Sequence, residues 1–233
     1  MEKKEFIRQT ACPEKGNIWY TRKAELGVSP CIKGSPQAWE GSTLANCVGY
    51  AWGRFASMEG NKKCKVGCAL GNDYPSDAWA WYKNSIAQGY QTGDKPVLGA
   101  VAVWSRTGAK GHVAIVEHIN ADGTWESSES GLNTTPVWFT KTYNAKSTRT
   151  GFKFLGFVYP KYEYYEKVPL KVGDTVRILA TGNANSYGTG RVAGGIGYRR
   201  KIKNIYTGRK YPYQVGTATS TTGFYQEKAL KKI

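Results

Sequence analysis

Val97-Leu98-Gly99-Ala100-Val101-Ala102-Val103-Trp104, followed by His112-Val113-Ala114-Ile115-Val116-Glu117-His118-Ile119, decides the architecture of the N-terminal part of the chain. Both runs are short, rich in β-branched and aromatic residues and bounded by turn formers, so they read as buried strands. Asp122-Gly123 signals a hairpin into Thr124–Ser130, and Phe152–Tyr159 supplies one more strand to the sheet. Upstream the period changes. Leu44, Cys47, Val48, Ala51, Trp52 and Phe55 recur at spacings of three and four, which draws one apolar stripe along a helix, with Ser42, Thr43 or Asn46 as its cap. A second helix is expected from Ser76 as cap to about Gln88, stopped by Gly89. Residues 1–40 are punctuated by Cys12-Pro13, Ser29-Pro30 and Gly34-Ser35-Pro36, which breaks any long periodic element. Helices ahead of an antiparallel sheet make the expected fold class α+β, over residues 1–160.

Composition changes beyond Pro160. The polar, aromatic run Lys161-Tyr162-Glu163-Tyr164-Tyr165-Glu166 reads as part of a linker over 161–168, followed by a small domain over 169–233. That domain has strand candidates at Asp174–Leu179 and Tyr211–Val215 and glycine turns at Gly188-Thr189-Gly190 and Gly194-Gly195, as expected of a small barrel. Charge follows the same division. The whole chain of 233 residues carries a net +16, and residues 167–233 hold 13 Lys and Arg against only Asp174 and Glu227, a balance of +11. Such a surface implies an anionic partner: nucleic acid, anionic membrane or Gram-positive cell wall. Zinc-finger spacing, an RNP-like aromatic motif and a recognition-helix pattern are all missing, which argues against nucleic acid. No stretch reaches the roughly 20 apolar residues of a membrane span, so membrane insertion is not expected. Met1–Ile7 lacks the apolar core of a signal peptide, which makes a cytosol the expected place of synthesis, with release needed to reach any outer target.

The five cysteines are Cys12, Cys31, Cys47, Cys64 and Cys68. An odd count leaves at least one unpaired in a monomer. The others can be reduced thiols, two disulfides or a four-thiolate metal site, although a gap of nineteen from Cys12 to Cys31 is far from ligand spacing. Cys47 stands near the start of the first strong helix, where backbone N–H groups and the helix dipole favour a thiolate. The competing reading is a small core residue on the apolar stripe. Only His112 and His118 can partner a nucleophilic cysteine. His112 opens a strand after Lys110-Gly111, whereas His118 lies near the hairpin turn and reads as a surface residue. Side chains alternate along a strand, so Glu117 faces away from His112. A two- or four-residue loop around Ala121–Gly123 would bring Glu129 and Gly131 to the His112 face, and a three-residue loop would reverse that parity.

Taken together, Asn46-Cys47-Val48-Gly49-Tyr50-Ala51-Trp52-Gly53-Arg54, Pro96 with Gly99–Trp104, Gly111-His112-Val113-Ala114-Ile115-Val116-Glu117, Ser128-Glu129-Ser130 and Phe154–Pro160 resemble the CHAP domain, the papain-like peptidoglycan hydrolase module. The resemblance implies amide cleavage in peptidoglycan, as an N-acetylmuramoyl-L-alanine amidase or an endopeptidase. Cys47 matches the nucleophile, His112 the base and Glu129 the residue that orients it. Members often carry Asn two positions after that carboxylate, where this chain has Gly131; Asn46 and Asn133 are the candidate accessory groups. Some relatives bind calcium through aspartates ahead of the nucleophile, but the first aspartate here is Asp73, so no metal or other cofactor is expected. The tail resembles, more loosely, the bacterial SH3-type wall-binding modules, with Tyr198, Arg199, Arg200, Tyr211, Tyr213 and Tyr225 as candidate wall contacts, about half of the aromatics being reserved for the core. The implied whole is a phage endolysin whose partners are peptidoglycan and anionic wall polymers of a Gram-positive host. The competing classes are a non-catalytic wall-binding protein and a basic nucleic-acid-binding protein.

Overall fold

The computed structural model describes residues 2–21, 39, 41–131, 134–166, 170–192 and 195–233. The chain divides into two units, Met1–Lys167 and Val168–Ile233, both built mainly on antiparallel sheet, with few helices among the described residues. Cys31, Asn133 and Gly194 lie outside the described residues.

In the first unit helix α1 spans Cys47–Glu59. Of the three candidate caps, Asn46 holds the position: its backbone is extended and its Oδ1 accepts from the Val48 N–H at 2.9 Å, satisfying one of the orphan donors of the first turn. Gly60 closes the other end in the left-handed conformation, φ 67°. The expected stripe is the buried one: Val48, Ala51, Trp52 and Phe55 pack on Val101, Val103, Val113, Ile115 and Val158.

Those last residues belong to a six-stranded antiparallel sheet in the order β2 (Thr92–Gly93), β7 (Lys153–Val158), β3 (Val101–Arg106), β4 (Ala109–Ile119), β5 (Trp125–Ser130) and β6 (Trp138–Tyr143). The alternate residues Ala102, Trp104, Ala114 and Val116 face a second cluster with Trp125, Tyr143 and Phe157. Burial on both faces accounts for unbroken apolar runs in place of alternation. β3 begins four residues later than expected, because Val97–Ala100 form a turn in which the Ala100 N–H reaches the Val97 carbonyl and Gly99 adopts φ 76°. The second helix is also shorter than expected: a 3-10 turn, Ala78–Ala80, leads into α2, Trp81–Ala87. Ser76 does not cap it; its Oγ accepts from Asn84 Nδ2 at 2.9 Å.

The β4–β5 hairpin has the three-residue loop and not the two- or four-residue one. Ala121–Gly123 is a three-residue loop, closed by Asn120 N–H to Thr124 O at 2.8 Å and Gly123 N–H to Asn120 O at 3.0 Å. Near the turn His118 faces Glu126; farther along, Val116 faces Ser127 and Ile115 faces Ser128. One residue, Glu117, is therefore extra. This β-bulge reverses the parity that the loop had reversed, so Glu129 returns to the His112 side by a route different from the one expected.

The expected linker is partly a strand. Glu163–Glu166 form β8, which pairs in parallel with β1, Lys3–Phe6, in the register Lys3 with Glu163 through Phe6 with Glu166. Tyr164 Oη donates to the Met58 carbonyl and its ring meets Phe6 edge-on. The alternation of Glu and Tyr that looked polar is thus a half-buried strand pattern whose partner lies some 160 residues away.

The second unit is a five-stranded antiparallel sheet, β12 (Thr221–Tyr225), β11 (Tyr213–Gly216), β10 (Arg199–Ile205), β9 (Thr175–Ile178) and β13 (Leu230–Lys232). Leu170, Val176, Ile178, Ile202, Val215, Tyr225 and Leu230 form its core.

Candidate active site

Sheet and helix bring Cys47, His112 and Glu129 into one line of contacts. Cys47 is the first residue of α1, half-buried, with its sulfur in the electrostatic reach of the His112 imidazole and of the backbone of Val113 and Val48. His112 lies opposite Trp104 across β3 and β4, its ring 5.9 Å from the indole. Its Nε2 sits 2.7 Å from Glu129 Oε2, which leaves Nδ1 as the ring nitrogen for the thiol.

The carboxylate is fully buried and has four donors. Besides His112 on Oε2, Arg149 Nη1 donates to Oε2 at 2.9 Å, while Ser127 Oγ and Tyr143 Oη donate to Oε1 at 2.6 and 2.8 Å. Arg149 also bonds Tyr143 Oη, and its guanidinium lies over the Phe152 ring at 5.2 Å. Burial alone would raise the Glu129 pKa, but the His112 hydrogen bond and charge, then Arg149 and Ser127, bring it down to about 2. Burial likewise opposes a charged His112, but Cys47 and Glu129 outweigh it and lift the imidazole to about 9. The Cys47 thiol, which burial would raise, is drawn below its ordinary range by His112 and the two backbone donors. The three shifts all run in the direction that favours thiolate, imidazolium and carboxylate. The sulfur should therefore react with iodoacetamide in the neutral range at a rate nearly independent of pH, where an ordinary thiol would gain reactivity up to pH 9. Alkylation rates that rise tenfold per pH unit through neutrality would exclude the ion pair. The linkage signs follow. Glu129 stabilises the fold above its ordinary 4.5, an effect lost as pH falls towards 2; His112 stabilises it below 6.5, an effect lost as pH rises through 9.

Residues that the sequence left unassigned complete the surroundings. Arg149 and Tyr143 come from beyond β5, and no local pattern marks either as a partner of Glu129. Replacing Arg149 with Met should lower kcat/KM about tenfold and narrow the pH profile from its acid side, because a carboxylate freed of its cation protonates more easily. A profile of unchanged width would show that Arg149 only fills space. Glu117, as expected, turns from His112: it takes two hydrogen bonds at 2.9 Å from Arg54 of α1, one from Ser128 Oγ and one from the Gln9 N–H. His118, read as a surface residue, is half-buried and pairs through Nδ1 with Glu166 of β8 at 2.6 Å. Asn46 serves as the helix cap; no hydrogen bond from its side chain to His112 or Glu129 is present. A side chain at 131 would be built 2.5 Å from Thr134 Cγ2, so the Asn that members often carry there has no room. Cys64 and Cys68 are free thiols whose pKa values burial pushes up, Cys68 to about 11.

In the second unit Tyr198 is about half exposed and Arg199 exposed, with the Arg200 guanidinium stacked on the Tyr198 ring at 4.5 Å. Tyr211 and Tyr213 are half-buried. Tyr225 is a correction: it is completely buried among Val176, Ile178 and Leu230, and cannot meet a polymer at the surface. Tyr187, overlooked in the sequence, is 61% exposed and stacked under Arg209 at 4.1 Å.

Residues 37–131 match the family model of the CHAP domain, so the first unit carries a CHAP domain, and the matched segment contains Cys47, His112 and Glu129. The chain is similar to the N-acetylmuramoyl-L-alanine amidase sle1 of Staphylococcus epidermidis, 32% identical over 107 residues, which are 46% of this chain and 32% of that protein. It is also similar to the sle1 amidase of Staphylococcus aureus, 30% identical over 87 residues, or 37% of this chain and 25% of the relative. The chain thus spans about a third or less of the curated relatives it matches. Among solved structures, an N-acetylmuramoyl-L-alanine amidase from Staphylococcus aureus aligns over 56% of this chain and 35% of its own, with 21% identity and a TM-score of 0.37. The structure of Ly7917 aligns over 78% and 87%, with 15% identity and a TM-score of 0.34.

Proposed function

We propose that the chain is a cysteine-dependent peptidoglycan hydrolase of the endolysin type, cutting amide bonds in the wall of a Gram-positive host as an N-acetylmuramoyl-L-alanine amidase or an endopeptidase. The observation that carries this reading is the contact line from a sulfur at a helix N-terminus through His112 to the buried Glu129, inside the segment that matches the CHAP model. Similarity to amidases supports the substrate class.

In this mechanism the Cys47 thiolate attacks the amide carbonyl and the C–N bond breaks as the imidazolium of His112 gives its proton to the leaving amine. Water, deprotonated by the now neutral imidazole, then hydrolyses the thioester. Glu129 keeps the ring oriented and its positive form stabilised. The backbone N–H of Cys47, at the open first turn of α1, is the candidate oxyanion donor.

The second unit is assigned the wall-binding role of an SH3-type module. Its support is a net charge of +10 over Val168–Ile233 together with stacked cation–aromatic pairs at the surface, Arg200 on Tyr198 and Arg209 on Tyr187. No helix among the described residues is long and apolar enough to cross a membrane. Mass analysis of fragments released from purified walls tests the reading. New amino groups are expected in the soluble fraction: with freed lactyl groups on muramic acid for an amidase, with newly split peptides for an endopeptidase. Release of reducing sugar ends alone would overturn it.

A further inference from the structure

At the tip of the β3–β4 hairpin lies a groove of about 600 Å³ whose walls include Asp77, Trp79, Arg106, Thr107, Gly108 and Lys110. These residues come from the β3–β4 hairpin and the turn ahead of α2, with none from α1; the strand that supplies Lys110 to the wall continues through Gly111 to His112. Two features suggest that it is built for a ligand. Trp79 is 56% exposed, although a tryptophan normally buries most of its large apolar surface. Its backbone is also held tightly against the hairpin: a Cβ at Gly111, the residue before His112, would lie 2.9 Å from Trp79 N and 2.5 Å from the Trp104 carbonyl, and Gly111 has φ 77°. The Trp79 backbone is therefore fixed against the residue that precedes His112, while its side chain is largely exposed.

The charges are also placed for a ligand. Lys110 is paired with Asp77 at 3.0 Å. Arg106 has no carboxylate partner among the described residues; its guanidinium lies 5.3 Å over Phe152, whose ring in turn meets His112 edge-on at 6.3 Å. A cation held on an aromatic shelf beside a general acid suits an anionic group on the half of the substrate that receives the proton. Proton delivery requires the leaving nitrogen to come within hydrogen-bond reach of the imidazole, so the departing half of the amide lies on the imidazole's side of the thiolate. In either cleavage of peptidoglycan considered above, that half is a peptide and carries a carboxylate.

Resting on the hydrolase reading, we propose that this groove is the subsite for the leaving peptide, with Arg106 pairing its carboxylate and Trp79 packing against its apolar surface. The test uses the full chain and soluble peptidoglycan fragments in two forms, stem-peptide carboxylates free or converted to amides. The parent should prefer the free acid. Arg106→Gln should reduce the ratio of kcat/KM for acid over amide about tenfold, chiefly through KM, the size expected for loss of one charge-assisted pair. Trp79→Ala should lower kcat/KM for both forms. The rate of Cys47 alkylation, measured in each variant, reports whether the neighbouring site is intact. If Arg106→Gln leaves the ratio unchanged while alkylation is normal, the subsite assignment falls and the hydrolase reading stands. If the parent cleaves neither form, both fall.

Discussion

Cys47→Ala should abolish wall lysis, with kcat/KM on purified walls lower by about 10⁴-fold or more, because no other group can form the acyl intermediate. Only His112 and Glu129 lie along the line of contacts, and neither is placed as an attacker: one holds the proton and the other is buried under four donors. The change removes one sulfur atom from a half-buried position at the end of a helix whose cap, Asn46, is untouched, so the fold should survive. Thermal unfolding within a degree or two of the parent, together with unchanged retention on walls, would complete the expected pattern. Lysis by the alanine variant at the parental rate would falsify the assignment of this sulfur as nucleophile.

Glu117→Ala should have the largest effect on stability. Glu117 and Arg54 are both buried, and the carboxylate joins three separate pieces of chain: α1 through Arg54, β5 through Ser128 and the N-terminal segment through the Gln9 N–H. Removing it leaves a guanidinium in the interior with, among the described residues, the Ile7 carbonyl as its remaining hydrogen-bond acceptor. A buried charge deprived of its counterion costs about 3–5 kcal/mol, which corresponds to a fall of about 10 °C in Tm for a unit of this size. Replacing both residues, Arg54→Met with Glu117→Leu, should recover much of that loss, since the pair's desolvation disappears with it. A single variant as stable as the parent would mean that water reaches Arg54. Activity adds a second readout. Arg54 sits two turns along the helix that begins at Cys47, and Glu117 lies on the strand that begins near His112, so the pair fixes the helix against the strand that carries the imidazole. Well below the new Tm, the single variant should remain slower than the double one.

What the sequence made legible was whatever local periodicity or capping specifies. The stripe of α1, the Asn46 cap and the two central strands depend on neighbours a few residues apart, and they lie close to where the pattern puts them. Misses came from interactions between distant segments. β8 looked like a linker because the residues that pair with it are at the other end of the unit. β6 was overlooked because Thr140, Lys141 and Thr142 are exposed and show only the outer half of a strand pattern. Arg149 and Tyr143 reach Glu129 only once β6 and the loop after it have folded over β5, which no spacing rule encodes. Nothing local tells a buried Tyr225 from a surface tyrosine, because residue type says nothing about which side of a strand it occupies; the closeness of Gly182 to its ring and of Gly223 beside it appears only in three dimensions.

The pairing of an odd-length loop with a bulge at Glu117 makes the hairpin tip a poor cassette for exchange. A chimera that imported a two-residue turn from another protein while keeping Glu117 would slide β5 by one step, and Ser128 or Ser130 would then occupy the place of Glu129 beside the imidazole. Two positions far from the sulfur, one in solvent and one in the interior, are thus bound to change together or not at all.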